Sequence, residues 1–278
     1  MEPEKPPERQ QSRAIYLLPN LLTTGCLFSG FYAVVASIDG NFRRAGFAIF
    51  VAMIFDTLDG RIARLTRSES AFGKEYDSLA DMVSFGLAPA IVAYQWGVER
   101  LFEYGKVWGR LGWLAAFFYA VCAALRLARF NTRDAADKRW FEGLPSPSAA
   151  AVVAGFVWAS TEEWRGEPGL IGLIVALLVT AAAGGLMVSS FKYSSFKQLN
   201  WDGPVKFATI VLVPLSFVLI AFHPPLSLLL VFGGYALSGP VLWAVHRRRK
   251  RVAQIAASAA NPANPANPAD QRDASGDG

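Results

Sequence analysis

Between Asp56 and Asp81, four carboxylates, two glycines, an alanine and an arginine fall at fixed intervals in the run DTLDGRIARLTRSESAFGKEYDSLAD. Asp56, Asp59, Gly60 and Ala63 are spaced i, i+3, i+4, i+7, so a helix places them on one face. Gly73, Asp77 and Asp81 follow at i, i+4, i+8, again one face. A turn around residues 66–72 lets the two helices pack antiparallel and gathers all four Asp side chains. Carboxylates that close repel one another or take up protons unless a cation sits among them. Hard oxygen donors on facing helices suit Mg²⁺, Mn²⁺ or Ca²⁺, not Zn²⁺. Two such ions sharing carboxylates are a recurrent arrangement for phosphoryl chemistry. Gly60, Ala63 and Gly73 remove bulk from the acidic faces, so a phosphorylated group can approach the backbone. Arg64 at the rim offers phosphate a planar fork of donors. Carboxylates also line cation pathways in transporters, but a pathway does not need these small residues and this arginine at these spacings.

The elements that position the motif are apolar. The chain has 278 residues, of which 53% are hydrophobic, and they come in blocks near the length that crosses a bilayer as a helix. The expected spans are 15–38, 44–65, 77–97, 111–130, 147–161, 169–188, 206–222 and 226–245, an all-α polytopic membrane protein of about eight helices. Asp56 to Arg64 is eight residues, about 12 Å of helix. The site is therefore expected inside the membrane, near one surface, where an ionisable group marks function.

Positive charge says which surface. Lys5, Arg9 and Arg13 precede the first span. Arg67 and Lys74, then Arg133, Lys138 and Arg139, then Lys192 and Lys197 fall in alternate loops. The last span exits into His246-Arg247-Arg248-Arg249-Lys250-Arg251. The opposite loops are poorer in net positive charge, with Glu162, Glu163 and Glu167 in one and His223-Pro224 in another; Arg43, Arg44, Arg100, Lys106 and Arg110 go against the bias. The balance puts both termini and the acidic motif on the cytoplasmic side. The net charge of +5 then reflects topology and contact with anionic lipids rather than nucleic acid. Residues 1–13 read as a disordered N-terminus, 14–246 as one membrane-embedded catalytic domain, and 247–278 as a basic, then low-complexity tail carrying NPANPANPA.

Cys26 and Cys122 fall inside expected spans and read as small packing residues with no disulfide framework. Pro145 and Pro147 stop a loop and start a helix. Trp113, Trp158 and Trp243, near span ends, read as interface anchors.

The acidic run resembles the signature of the CDP-alcohol phosphatidyltransferase superfamily, D-x-x-D-G-x-x-A-R, eight residues, then G-x-x-x-D-x-x-x-D, at every position of 56–81. LPNLLT (18–23), SLADMVSFGLAPA (78–90), ALRLARFNT (124–132), GLPSPSAA (143–150) and LMVSSFKYSSFK (186–197) are similar to its phosphatidylserine synthase branch, so the resemblance spans roughly 15–200. It implies a six-helix core, usually in a homodimer, in a bacterial inner membrane. It also implies transfer of the phosphatidyl group from CDP-diacylglycerol to L-serine, with CMP released. In that reading Asp56, Asp59 and Asp77 hold metal and Asp81 is both ligand and general base. Gly60, Arg64 and Gly73, with Ser70, Asn20 and Thr23, border the CDP group. The reaction implied is in-line displacement, because neither His223 nor His246 is placed to form a covalent intermediate.

The signature does not choose the acceptor alcohol; glycerol-3-phosphate is the runner-up to serine. A zwitterion needs a donor for its carboxylate. Arg126 and Arg129, one turn apart at the cytoplasmic end of span 111–130, with Asn131 and Lys192, are the candidates. Arginine in such a position also snorkels without binding anything.

Overall fold

The computed structural model describes residues 14–68, 70–132, 141–163, 168–193 and 221–260. Among these, the chain is helical apart from one two-residue ladder. Helix α1 spans Ala14–Ile38, α2 Phe42–Thr66 and α3 Ala71–Asp81. A π-helical turn, Met82–Leu87, leads into α4, Ala88–Trp96. A 3₁₀ segment, Val98–Tyr104, joins α4 to α5, Lys106–Thr132. Then come α6, Ser146–Glu163, α7, Leu170–Val188, and α8, Pro224–Ala260. Strands β1 (Phe141–Glu142) and β2 (Lys192–Tyr193) pair antiparallel at the ends of α6 and α7, a local departure from an all-α chain.

Among the described residues, four helices are long and apolar enough to cross a membrane by length and composition: Leu17–Ile38, Lys106–Thr132, Leu170–Val188 and Pro224–Arg251. The protein is thus an all-α integral membrane protein. Seven of the eight expected spans coincide with helical segments; 206–222 falls almost wholly outside the described residues. Helix α2, whose carboxylates and arginines lower its hydropathy, packs along the length of α1, and α6 packs against α2, α7 and α8. Large apolar side chains such as Phe28, Phe31, Phe117 and Leu178 point outward. In a bilayer that exposure is favourable, because lipid tails solvate them.

Close helix approach rests on small residues, as membrane packing requires. A Cβ on Gly30 of α1 would collide with Ser84 in the π turn. Ser84 Oγ in turn donates to the Cys26 carbonyl at 3.0 Å. The wide π turn leaves the Phe85 carbonyl to accept from the buried Tyr119 hydroxyl at 3.0 Å, which ties α5 to the segment just after Asp81. Such π turns recur at functional sites. Cys26 and Cys122 are buried, unbridged packing residues. Trp158 departs from the interface expectation. It is buried, its ring edge-on to Phe47, and it fills the space that Gly46 leaves. Its indole Nε1 donates to Glu162 at 2.8 Å. Trp113 and Trp243 are about half exposed.

Candidate active site

Helix α2 stops because Arg67 adopts a left-handed conformation, φ 52°, and its N–H caps the carbonyls of Ala63 and Arg64. Helix α3 starts three residues later, where Ser70 Oγ accepts from the Gly73 N–H at 2.9 Å. This short turn brings the acidic faces of α2 and α3 together. Ligand oxygens of Asp56, Asp59 and Asp77 all lie within 4.8 Å of one another. Asp81, one turn further along α3, reaches the Asp56 carboxyl within hydrogen-bond range. Its Oδ1 is buried with no partner among the described residues. Three clustered carboxylates and a buried oxygen awaiting a donor are the surroundings a hard cation fits.

Helix α1 supports the cluster from behind. Thr23, buried, donates its hydroxyl to Asp59 Oδ2 at 2.7 Å, with the Pro19 carbonyl at 3.1 Å. Such a contact fixes a ligand carboxylate, and its loss typically weakens metal binding about 10- to 100-fold. Thr23→Ala is expected to weaken activation by divalent metal by that order, while Thr23→Ser, which keeps the hydroxyl, retains most of it. A metal titration of both variants checks this.

The carboxylates open onto a cleft of about 460 Å³. Asn20, Thr23, Gly60, Arg64, Ser70 and Gly73 all line it, together with Asp59, Ala63 and Asp77. Every residue expected to border the CDP group therefore shares one wall system with two of the acidic residues. Arg64 lies over Gly60, where an added Cβ would sit 3.5 Å from its guanidinium. A Cβ on Gly73 would press on Ser70 Oγ at 3.1 Å and Asn20 Oδ1 at 3.4 Å. Gly73→Ala is accordingly expected to disturb the α3 cap and the adjacent wall together. The expected sign is a severalfold higher KM for the CDP-bearing substrate that the sequence resemblance implies, read from initial rates.

The cleft also holds residues that sequence reasoning missed. Ser68, Lys74 and Phe130 line it. Lys74 was read only as a topological charge; its place directly after Gly73, in the first turn of α3, was the available signal. Phe130 comes from α5 and carried no signal at all.

The acceptor candidates divide. Arg129 forms an ion pair with Glu142 of β1. Asn131 Nδ2 donates to Ser78 Oγ at 2.9 Å, holding the end of α5 against α3. The Lys192 side chain lies outside the described residues. Arg126 differs. Its NH1 donates to Ser146 Oγ at 2.9 Å, and its Nε is buried without a partner among the described residues. It lies within electrostatic reach of Asp81 and of Tyr235 on α8. The site thus has two sides: Arg64 and Lys74 toward the turn, Arg126 beyond Asp81. His223 sits at the other end of the bundle, 3.7 Å from Glu163, and His246 bonds its own helix at the Leu242 carbonyl. Neither approaches the carboxylates.

Comparison with known proteins agrees with this geometry. The sequence model of the CDP-alcohol phosphatidyltransferase family matches residues 16–188. A CDP-diacylglycerol–serine O-phosphatidyltransferase of Helicobacter pylori strain J99 is 37% identical over 235 residues, covering 82% of this chain and 92% of that protein. The Saccharomyces cerevisiae enzyme of the same name is 38% identical over 146 residues, 47% of this chain and 50% of that protein. An archaetidylserine synthase of Methanothermobacter thermautotrophicus is 35% identical over 178 residues, 63% of this chain and 69% of that protein. The match covers α1 to α7, including both acidic helices and the cleft they line, and places this chain in the CDP-alcohol phosphatidyltransferase family.

Proposed function

We propose that the protein transfers the phosphatidyl group of CDP-diacylglycerol to the hydroxyl of L-serine, in a reaction that depends on Mg²⁺ or Mn²⁺. The observation that carries this reading is the pairing of three carboxylates within 4.8 Å with a cleft bordered by Arg64 and Lys74. The names of the similar proteins support the choice of serine. Asp56, Asp59, Asp77 and Asp81 would hold the metal, for two ions in all, and bound metal would neutralise the diphosphate oxygens and the departing CMP.

The chain's own residues do the rest. Arg64, Lys74 and the first turn of α3 hold the nucleotide diphosphate, with Asn20, Thr23, Gly60, Ser70 and Gly73 shaping the wall. Asp81 Oδ1 accepts the serine hydroxyl proton as attack proceeds. A bond forms between the serine oxygen and the lipid-bearing phosphorus, and the bond from that phosphorus to the CMP oxygen breaks. Arg126 is the better partner for the serine carboxylate, since Arg129 is engaged by Glu142. The cytoplasmic side of a bacterial inner membrane supplies water-soluble serine, and a homodimer with Arg247–Arg251 against anionic headgroups belongs to the same reading.

Purified protein given CDP-diacylglycerol and Mn²⁺ or Mg²⁺ should release CMP when L-serine is added, and not with glycerol-3-phosphate or inositol phosphate. Release with another acceptor would overturn the serine assignment and keep the transferase. Metal flux in proteoliposomes without CMP release would replace the reading with transport. Arg126→Gln should raise the serine KM roughly 10- to 100-fold, the worth of a charge-assisted hydrogen bond. Arg129→Gln should change it less than about twofold, because a half-exposed ion pair contributes little.

A further inference from the structure

Helix α1 carries a regular outward row. Leu17, Leu21, Phe28, Phe31, Val35 and Ile38 recur at helical spacing, and all are exposed. Thr24 stands in the middle of that row, exposed like its neighbours, and is its polar member. It lies about 10 Å inside the candidate span that starts at Leu17. Helix α3 repeats the pattern. Phe72 and Leu79 are exposed, and the half-buried Tyr76 lies one turn from each. The Tyr76 ring stacks on Phe72, centroids 5.9 Å apart. The polar members of the two rows meet, with the Thr24 and Tyr76 hydroxyl oxygens 3.0 Å apart.

The hydrogens decide which group donates. Thr24 Oγ1 gives its single hydrogen to the Asn20 carbonyl at 2.8 Å. The Tyr76 hydroxyl is therefore the donor of the pair, and Thr24 Oγ1 accepts. At such a depth a bilayer offers no water to replace a lost partner.

The pair stands directly in front of the acidic cluster. Thr23, the residue before Thr24, points round the other side of α1 and holds Asp59 of α2 at 2.7 Å. Tyr76 is the residue before Asp77 of α3. Adjacent side chains of α1 thus hold the two helices that carry the carboxylates, Thr23 the α2 side and Thr24 the α3 side. Helix α3 has only 11 residues. One turn before Tyr76 it meets α1 again, where a Cβ on Gly73 would lie 3.4 Å from Asn20 Oδ1. A helix that short depends on tertiary contacts of this kind. Turning α3 about its axis would swing Asp77 out of the group it forms with Asp56 and Asp59, whose ligand oxygens lie within 4.8 Å of one another.

We propose that Tyr76 is a positioning residue for the metal ligands: its bond to Thr24 fixes the rotation of α3 against α1 and so holds Asp77 in register with Asp56 and Asp59. This rests on the divalent-metal part of the reading above. Tyr76 is not itself a ligand; it acts through the backbone it shares with Asp77.

The test reads Mn²⁺ binding directly, by electron paramagnetic resonance on the full-length protein in detergent micelles without lipid substrate. Tyr76→Phe keeps the ring and its stacking on Phe72 and removes only the hydroxyl. It should weaken Mn²⁺ binding roughly three- to tenfold, the scale of one hydrogen bond between membrane helices. Thr24→Val should do the same. Thr24→Ser, which keeps the acceptor, should stay within about twofold of wild type on that scale. Tyr76→Phe combined with Thr24→Val should bind no more weakly than either alone, because both remove one bond. Unchanged Mn²⁺ binding in Tyr76→Phe overturns the proposal, even where its thermal unfolding midpoint falls. So do additive losses in the double variant, or binding as weak in Thr24→Ser as in Thr24→Val. Wild-type protein that binds no Mn²⁺ overturns the metal reading, and this inference with it. Mn²⁺ binding that responds to Tyr76→Phe, in protein that releases no CMP with serine, upholds this inference and overturns the transferase reading.

Discussion

Asp81→Asn is expected to lower kcat by about 10² to 10⁴, the usual contribution of a positioned general base. Asn keeps the size of the side chain and one oxygen, but it cannot accept the serine proton. The position is unusual for its combination of contacts. Its Oδ1 is buried and unpartnered among the described residues, and its carboxyl group lies within hydrogen-bond range of Asp56. It is also within electrostatic reach of Arg126, and it is not among the residues that line the cleft beside Arg64 and Lys74. Mn²⁺ affinity, followed by electron paramagnetic resonance, should fall far less than the rate, since Asp56, Asp59 and Asp77 are untouched. Near-normal turnover in Asp81→Asn would remove the base role. Parallel loss of rate and metal would reduce Asp81 to a ligand.

Removing the cation should have the largest effect of all. Chelation is expected to abolish CMP release, with activity restored by Mg²⁺ or Mn²⁺. Asp59→Asn is expected to lower turnover at saturating lipid by on the order of 10³ or more, equivalent to several kcal/mol of charge stabilisation. Asp59 is the sharpest of the set to test because it is the buried one, held by Thr23 at 2.7 Å, and it lines the cleft. Higher Mn²⁺ should rescue Asp59→Asn in part, whereas it should not rescue Asp81→Asn. Equal rates in chelator and in Mn²⁺ would exclude metal-dependent chemistry for this protein.

Much of this was legible along the chain because it depends on short-range periodicity. The i, i+3, i+4, i+7 spacing of Asp56, Asp59, Gly60 and Ala63 can be read without a structure, since 3.6 residues per turn fixes which side chains share a face. The turn expected around residues 66–72 followed from the same logic; the structure ends α2 at Arg67 and caps α3 with Ser70. Apolar length marked the helices α1, α5, α7 and α8. Trp158 was misread because its place near a span end is shared by interface and core residues. Only the small Gly46 on a neighbouring helix, more than a hundred residues away, decides that it is buried.

The sequence by itself determined the membrane helices, the paired acidic faces and the phosphatidyl-transfer family, because each is written in spacing within one or two helices. The tertiary structure decided which polar side chains come near those acidic faces. Arg126 and Arg129 are equivalent on a helical wheel, one turn apart, yet Glu142 engages one while Ser146 bonds the other, with Asp81 and Tyr235 in electrostatic reach. Phe130 joins the cleft from α5, far along the chain from α2 and α3, and Tyr235 comes within electrostatic reach of Arg126 from a helix beyond residue 188. Those contacts join positions far apart in the chain, so their geometry is set by helix packing and leaves no period in the sequence to read.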